Sequence, residues 1–514
     1  MEDSGLMKQK LAELDVMRNR LREGGGAAEI EKQHRKGKLT ARERLGKLLD
    51  QGTFQELDLW GTPLATGFAI DAEESPADGV AVGFGEVNGR SVYVWAQDAT
   101  VVRGTMANIH ARKITMVMEK AIHARVPIVG IIDSEGPRIE DAIQYYRFYS
   151  PESMVYFQTM ASGVIPQISL VMGPCIGEMA ISASLADFVF MVRKTSYMHI
   201  ALPPEGKTAE EVGDASVHFR RTGCCDFLAK DDDECLQRCR DLLSFLPSHN
   251  KEKLPVLNTG DDPNRREQEL LSLVPFDSTK PYNMQKLISL IVDKGEFLEL
   301  KRQWANNLIT GFGRLAGQTV GFIANNPQSM GGSLTLDAAD KMARFVRFCD
   351  AFNMPLVWLA DTPAFLPAID EETRGLIRHG CKLVFSNVEV TVPQTTIAIR
   401  KLFGGGQLAM PGTTLGGDID IAWPTVERGL MGAEGAVSII YKRELQSITD
   451  ETARQEKLAQ RTEEMRHKLR ALEREWGQGF IDPRDTRPFL IQALKTFSNR
   501  EENRPYRKHE NIRL

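Results

Sequence analysis

Several features that would assign a function at once are missing from this sequence of 514 residues. It has no apolar run of about 18 residues, so no segment is predicted to span a membrane. The N-terminal stretch MEDSGLMKQKLAELDVMRNRLREGGG lacks the apolar core of a signal peptide. The seven cysteines form no CxxC pair, which argues against a zinc ribbon, and no metal site is predicted. Neither a GxGxxG motif nor a P-loop is present, so no nucleotide site is predicted.

The charge balance is also uninformative about polyanionic partners. The net charge is −5, which gives no sign of binding to nucleic acid. Hydrophobic residues make up 42% and charged residues 26% of the chain, as in an ordinary globular protein. The cysteines are expected to be reduced, which predicts a cytoplasmic protein. The length predicts two or more domains.

What the sequence does contain is an internal repeat. GTMANIHARKITMVMEKAIHARVPIVGIIDS, from Gly104, aligns without a gap with GSLTLDAADKMARFVRFCDAFNMPLVWLADT, from Gly332, at a constant offset of 228 positions. Apolar residues recur at helical spacing in both copies. A proline and a short apolar strand follow, and each strand ends near an aspartate, Asp133 or Asp361. The repeat predicts a helix followed by a buried strand in each half.

A second block repeats at nearly the same offset. IPQISLVMGPCIGEM, from Ile165, lies over VPQTTIAIRKLFGGG, from Val392. In both copies a strand leads into a glycine turn and then a helix. The chain therefore reads as a tandem duplication of an alternating β/α unit, and the predicted fold class is α/β with largely parallel strands.

The repeat also suggests domain boundaries. We predict a helical N-terminal extension over residues 1–50, a first domain over 51–255, a linker over 256–283 and a second domain over 284–514. A long charged helix with both signs interspersed is predicted over about 443–476, as a solvated face that also packs against another subunit.

Each glycine turn opens a helix, and the first amides of a helix suit an anionic oxygen. Two equivalent turns therefore predict two anion sites. Glu178, directly after Gly177, stands where such a site would prefer no further negative charge. It is either a solvated residue of the first helical turn or a participant in the chemistry.

Longer stretches of the sequence resemble a known family. They include EKQHRKGKLTARERLGKLLDQGTFQELD, ADGVAVGFGEVNGR, ASGVIPQISLVMGPC, LLSFLPSHN, RKLFGGGQLAM and AWPTVERGLMGAEGAVSIIYKREL. The chain resembles the carboxyltransferase subunits of biotin-dependent acyl-CoA carboxylases and the related alpha subunits of glutaconyl-CoA-type decarboxylases. The resemblance runs nearly end to end. It implies tandem crotonase-like domains built as ββα spirals, in a hexamer of head-to-tail dimers.

The resemblance also implies the chemistry. Acyl-CoA would bind the N-terminal half of one subunit and carboxybiotin the C-terminal half of its neighbour. A carboxyl group would move to or from the α-carbon through enolates stabilised by backbone amides. These donors would be the amides around Gly177 and Glu178 in the first half, and those of Gly405 and Gly406 in the second. Gly404 belongs to the second turn, and Leu408 is expected to line the acyl pocket.

The acyl-CoA side departs from the family pattern. Small residues of the family are replaced by Arg103, Glu135 and Glu178, in loops that also carry three further predicted substrate-binding residues. Those three are Gly104, Gly136 and Met179. In one interpretation the backbone amides remain, Arg103 pairs with a glutamate and only the substrate differs. In the other, Glu178 and Glu135 act as acid and base, and the protein is a hydratase, hydrolase or decarboxylase that does not use biotin.

Two absences bear on the partners that the resemblance implies. The chain has no AMKM-like lysine site for biotin and no ATP-grasp signature, so biotin would be carried and carboxylated by other chains, a biotin carboxylase and its carrier. The sequence does not distinguish carboxylation from decarboxylation, nor does it identify the acyl group. A third hypothesis is a scaffold subunit without catalysis.

Overall fold

The structure is a computed structural model that describes residues 2–63, 75–140, 151–201, 203–476, 478–502 and 504–512. The chain divides into two compact units, residues 1–253 and residues 254–514.

The first unit is built on one mixed sheet. Its strands are β1 (Gln55–Leu57), β2 (Val80–Val87), β3 (Arg90–Gln97), β4 (Ile128–Ser134), β5 (Gln167–Ile176), β6 (Phe188–Val192), β7 (Tyr197–His199) and β8 (Phe227–Ala229). Among the described residues the order is β1-β2-β3-β4-β5-β6-β8, and β7 pairs with the far end of β5. The pairs from β1 to β3 are antiparallel and those from β3 onward are parallel. Hairpins followed by βαβ crossovers give this mixture.

Helices cover the sheet of the first unit. The α-helices with both ends in the described residues are α1 (Glu2–Arg22), α2 (Gly26–Arg35), α3 (Ala41–Leu48), α4 (Asn108–Ala124), α5 (Pro151–Ala161), α6 (Glu178–Leu185), α7 (Ala209–Gly213), α8 (Ala215–Val217) and α9 (Asp232–Phe245). Helix α4 buries Ile114, Val117, Met118 and Ala121, so the helical spacing read from the sequence is confirmed. It ends at Arg125 in the left-handed region, just before the Val126-Pro127 step that cannot continue a helix.

The second unit repeats this plan. Its strands are β9 (Phe297–Leu300), β10 (Leu308–Leu315), β11 (Gln318–Asn325), β12 (Leu356–Thr362), β13 (Gln394–Phe403), β14 (Ile419–Ala422) and β15 (Glu427–Gly429). Among the described residues the order is β14-β13-β12-β11-β10-β9, with β15 paired to the far end of β13. The pairs β9–β10 and β10–β11 are antiparallel, and the others are parallel.

The helices of the second unit include the counterpart of α4. They are α10 (Leu270–Leu273), α11 (Met284–Ile291), α12 (Leu336–Ala351), α13 (Ile369–Thr373), α14 (Leu376–Glu389), α15 (Gly405–Ala409), α16 (Ala433–Ile440), α17 (Lys442–Ser447), α18 (Glu451–Trp476) and α19 (Thr486–Thr496). The prediction of one continuous helix over 443–476 is wrong. The chain breaks between α17 and α18, where the Asp450 side chain accepts the amide of Ala453 at 2.7 Å and begins a new helix.

The duplication extends to buried polar groups. Lys113 of α4 is fully buried, and its Nζ donates to the carbonyls of Ala77 and Val80 at 2.7 and 2.6 Å. Lys341 of α12 is equally buried, and it donates to the carbonyl of Leu308, the counterpart of Val80, at 2.7 Å. Burial lowers the pKa of Lys113 to about 8. The two lysines tie each crossover helix to the preceding β-hairpin.

The segment 256–283, predicted as a linker, contributes to the core of the second unit. Leu270, Val274 and Tyr282 are buried there against α11 and the sheet. None of the helices in the described part of the chain combines the length and apolar character that a membrane span requires.

Candidate functional site

The first glycine turn lies between β5 and α6. Gly177 has φ 70° and ψ −135°, a conformation that favours glycine. Its amide donates to the carbonyl of His199 in β7 at 2.9 Å, and its carbonyl accepts the amide of Ala180 at 3.0 Å. The sequence-based prediction that the Gly177 amide stabilises an oxyanion is therefore wrong, because a strand later in the chain already binds it. The next amides, of Glu178 and Met179, lie in the first turn of α6. The N–H groups of a first helical turn point out of the N-terminal end of the helix.

The second turn, between β13 and α15, has the same hydrogen bonds. Gly404 has φ 47° and ψ −122°, and its amide donates to the carbonyl of Gly429 in β15 at 3.0 Å. Its carbonyl accepts the amide of Gln407 at 3.1 Å. Gly405 and Gly406 therefore occupy the positions that Glu178 and Met179 occupy in the first half.

Close packing explains the glycines of the second turn. A Cβ on Gly405 would lie 2.9 Å from the Phe365 ring, and one on Gly406 would lie 2.8 Å from the methyl group of Thr362. The loop after β12 thus presses against the start of α15. Substituents at either position would push the loop and the amides apart.

The corresponding loop of the first half leaves room for side chains. It runs from Ser134 to Pro137, where a Cβ on Gly136 would reach Ile176 at 3.5 Å and one on Gly177 would reach Pro137 at 3.9 Å, both ordinary contacts. Glu178 is exposed at the start of α6. Met179 is 1% exposed and lies in the core of the unit, so its side chain does not face a ligand as predicted; only its amide can.

Arg103 and Glu135 connect two loops beside the first turn. The guanidinium lies 2.8 Å from the carboxylate, and both side chains are about half exposed. The Glu135 amide also donates to the Arg103 carbonyl at 3.3 Å. Arg103 has φ 55°, and the following Gly104 has φ 64° and lies directly against the Asp133 carbonyl. The prediction that Arg103 pairs with a glutamate is confirmed for Glu135.

A buried carboxylate supports each of these loops. Asp133, fully buried at the end of β4, accepts from Lys38 at 2.6 Å, from Arg44 at 2.8 Å and from Gln33 at 2.9 Å. Although burial alone would raise it, the charges of Arg44 and Lys38 hold the pKa of Asp133 below its usual range.

In the second half Asp361 takes its cation from the neighbouring strand. Arg400 Nη2 lies 3.2 Å away, and the Lys401 amide donates to the carboxylate at 3.1 Å. The matched positions of the two aspartates could have indicated this role from the sequence, but their partners could not be read from it.

A groove of about 1020 Å³ opens beside the second turn. One face of α14 lines it, together with Leu408 of α15, Glu502 and residues 504–507. Leu408 is about half exposed at this groove, so it lies with the second turn. Phe365 lies between the groove and the turn, since it also packs against Gly405.

The predicted residues thus form two groups. The first unit holds Arg103, Gly104, Glu135, Gly136, Gly177, Glu178 and Met179 around one turn, and the second unit holds Gly404, Gly405, Gly406 and Leu408 around the other. Sequence reasoning missed the carbonyls of His199 and Gly429 that fix the turns, because no local pattern marks them.

The chain matches known proteins over nearly its full length. The family described as the carboxyl transferase domain matches residues 32–512. Methylmalonyl-CoA decarboxylase subunit alpha of Veillonella parvula is 44% identical, over 99% of this chain and 98% of that protein. The propionyl-CoA carboxylase beta chain of Roseobacter denitrificans is 41% identical, over 99% and 100%.

Solved structures give the same result. The hexameric transcarboxylase 12S, in a structure with methylmalonyl-coenzyme A and methylmalonic acid bound, superimposes with a TM-score of 0.92 and 38% identity, over 99% of this chain and 98% of that one. The mixed α/β fold with two parallel-rich sheets agrees with the crotonase-like prediction. The chain belongs to the carboxyl transferase domain family and is an acyl-CoA carboxyltransferase.

Proposed function

We propose that this protein moves a carboxyl group between biotin, carried on a separate subunit, and the α-carbon of an acyl-CoA. The acyl-CoA binds at the first turn and biotin at the second. The observation that carries this proposal is the matched pair of turns, in which Gly177 and Gly404 each give their amide to a later strand. The amides that follow each glycine are thereby held in the same arrangement.

The chemistry at the first turn requires stabilisation of negative charge. When the carboxyl group leaves or joins the α-carbon, the electron pair of that bond is shared with the thioester oxygen as an enolate. The amides of Glu178 and Met179 are the donors that would face this oxygen. Preorganised backbone donors of this kind are worth about 3–4 kcal/mol of barrier each.

The second turn fits an uncharged ring that has one polar oxygen. The groove beside it is lined largely by apolar side chains, and Phe365, one of the lining residues, also packs against Gly405. Biotin supplies the ring nitrogen that carries the carboxyl group. Gly405 and Gly406 would donate to the ring carbonyl oxygen. Leu408, which the sequence suggested for the acyl pocket, would instead contact this ring, because it lines the groove.

The acyl group and the assembly are inferred from the similar proteins. Propionyl-CoA and methylmalonyl-CoA are the acyl pair of this proposal, because the similar decarboxylase, carboxylase and transcarboxylase chains are named for them or bind them. The proposed assembly is a hexamer of this chain, which works with a biotin carboxylase and a carrier subunit. A cytoplasmic location is also proposed, since all seven cysteines are unpaired.

The alternative without biotin has little support from the structure. Its acid–base pair would be Glu178 and Glu135, but Arg103 holds the Glu135 carboxylate at 2.8 Å. The Glu135 carboxylate therefore already has a cationic partner, on the neighbouring loop.

The test is the transfer of the carboxyl group from methylmalonyl-CoA to free biotin. Methylmalonyl-CoA is incubated with the full-length protein with and without millimolar biotin, and thioesters are quantified by mass spectrometry. Propionyl-CoA is expected to form only when biotin is present. Propionyl-CoA formed equally without biotin, or free CoA from hydrolysis, would contradict the proposal and favour the alternative.

A further inference from the structure

The C-terminal tail, which we define as residues 500–502 and 504–510, binds the end of α14. Arg504 donates to the carbonyls of Val388 and Val390 at 2.9 and 2.8 Å and also to that of Glu389. These carbonyls end the helix and have no intrahelical donor, and a cation there also complements the helix dipole. Arg504 therefore caps α14 in place of a local C-cap.

Ion pairs fasten the tail on both sides of this cap. Arg507 pairs with Glu389, the last residue of α14. Arg347 of α12 reaches Glu389 at 3.5 Å and also pairs with Glu510. The tail thus joins the ends of two helices of the second unit.

Arg500 fastens the other end of the tail. It lies 2.9 Å from Asp418 and donates to the carbonyls of Thr391 and Val392 at 2.7 and 2.9 Å. The segment between α14 and β13 is therefore held as well. Contacts of one short segment with so many backbone carbonyls indicate a fixed position.

The end of α14 is in turn connected to the second turn. Asn387, fully buried one residue before Val388, donates from Nδ2 to the carbonyl of Ala409 at 2.9 Å and to that of Leu408 at 3.5 Å. These carbonyls end α15, the helix that begins with Gly405 and Gly406. A displacement of α14 at Asn387 would therefore displace the amides of the turn.

The tail also forms one wall of the groove. Arg504, Pro505, Tyr506 and Arg507 lie on one side, and the Leu376, Gly380 and Val384 face of α14 lies on the other. Removal of the tail would widen the groove and uncap the helix at the same time.

We propose that the tail is a positioning element for the biotin side, with Arg504 as its central residue. It holds α14, and through Asn387 it holds the amides of Gly405 and Gly406, while its own chain sets the width of the groove. This inference rests on the proposed function, because it takes the groove as the place where biotin binds.

The test compares three single variants of the full-length protein in the assay with methylmalonyl-CoA and free biotin. Arg504→Met removes the cap, and Arg504→Lys retains a cation that can bind one or two carbonyls. Arg454→Met is the matched control, since the Arg454 side chain makes a surface pair with Glu451. For each variant, KM for biotin, KM for methylmalonyl-CoA and kcat are measured, together with the melting temperature.

For Arg504→Met we expect KM for biotin to rise by about tenfold, as for loss of hydrogen bonds to a charged group, with KM for methylmalonyl-CoA within twofold. Arg504→Lys should recover most of the loss, and Arg454→Met should equal the wild type. Equal changes in both KM values, or none, would overturn the inference.

A second variant that ends at Asn499 removes the whole tail. It should raise KM for biotin further than Arg504→Met does, again with KM for methylmalonyl-CoA within twofold. If that variant does not fold, Arg504→Met and Arg504→Lys still decide the question. A wild-type protein without biotin-dependent transfer would instead overturn the proposed function, so the two failures are distinguishable.

Discussion

At the scale of single residues, the two turns differ in the side chains that they tolerate. The loop after β12 presses on Gly405 and Gly406, whereas at the first turn a Cβ on Gly136 or Gly177 would make only ordinary contacts. Since the backbone pattern is otherwise the same, the second turn should be far more sensitive to added atoms than the first.

Gly405→Ala should therefore impair catalysis. The new methyl group would lie 2.9 Å from the Phe365 ring, so the turn must shift and the amides lose their alignment. We expect kcat of biotin-dependent transfer to fall by about 10²-fold, the usual effect of losing an oxyanion donor. Gly435→Ala is the control, because its methyl group would meet nothing closer than 3.7 Å. Equal activity of both variants would contradict the assignment of the turn.

Glu178→Gln should leave transfer nearly unchanged. In the proposed function Glu178 contributes its amide and not its carboxylate, so the isosteric change retains the donor. We expect kcat with methylmalonyl-CoA and biotin to stay within about twofold, a small effect on the free-energy scale. Glu135→Gln, which breaks only the exposed pair with Arg103, should also change stability by no more than about 1 kcal/mol. A loss of 10²-fold or more for Glu178→Gln would revive acid–base catalysis.

His110 makes the first unit sensitive to acid. It is fully buried, with Nδ1 donating to the Asp78 carbonyl at 2.9 Å, and burial lowers its pKa to about 3. Between about pH 6.5 and pH 3 the unfolded chain takes up a proton at this site and the folded chain does not. Stability therefore falls as the pH falls through that window.

The size of the effect can be measured by hydrogen exchange in α4 during urea titrations. From pH 7 to pH 5, His110 should remove about 2 kcal/mol from the free energy of unfolding. His110→Gln should lose that slope, whatever its absolute stability. An unchanged slope would show that other groups cause the acid sensitivity.

At the scale of elements, α3 and the segment that precedes it contribute to the interior of the first unit. Arg44 of α3 is fully buried and bridges Asp133 of β4 and Asp232 of α9, both at 2.8 Å. Lys38, between α2 and α3, completes the cluster. The extension predicted over residues 1–50 thus supplies charges that the sheet needs.

Asp133→Asn should destabilise the protein strongly. The change leaves Arg44 and Lys38 buried with one carboxylate fewer, and breaking a buried pair typically costs about 3–5 kcal/mol. Asp241→Asn, at an exposed position of α9, should stay within about 0.5 kcal/mol of the wild type. Urea denaturation of both variants measures the difference, and a loss below about 1 kcal/mol for Asp133→Asn would contradict the role of the cluster.

The repeat explains how much could be predicted from the sequence. The fold class, α4 with its buried face and the second turn all follow from local periodicity and the constant offset. The bond from the Gly177 amide to His199 could not be predicted, because it joins residues of two strands whose pairing is decided by the sheet. The contact of Arg504 with α14 was missed for the same reason, since more than a hundred positions separate the two. Long-range backbone contacts leave no spacing signal in a single sequence.

At the scale of the whole molecule, each unit should respond to its own ligand. A non-reactive acyl-CoA should slow hydrogen exchange around 173–185 in the first unit, and free biotin should slow it around 400–410 in the second. Bound ligands stabilise the state that binds them, so protection marks the site. The two ligands added separately to the full-length protein serve as controls for each other. Protection in the opposite units would show that the assignment of the halves is reversed.

The buried aspartates of the two copies are paired with cations from different parts of the chain. The two units therefore differ in which fragments should fold alone. Gly173 stands where the second copy has Arg400, and the Asp133 carboxylate and Lys38 fill the space that a larger residue would need. Asp361 finds its guanidinium about forty positions later, within its own unit. A fragment that starts at residue 254 therefore carries every charge that its buried acid requires. A fragment that begins after residue 50 lacks Lys38 and Arg44, so its Asp133 carboxylate would be buried without a cation. This fragment should fail to fold even though it retains all the strands of its sheet.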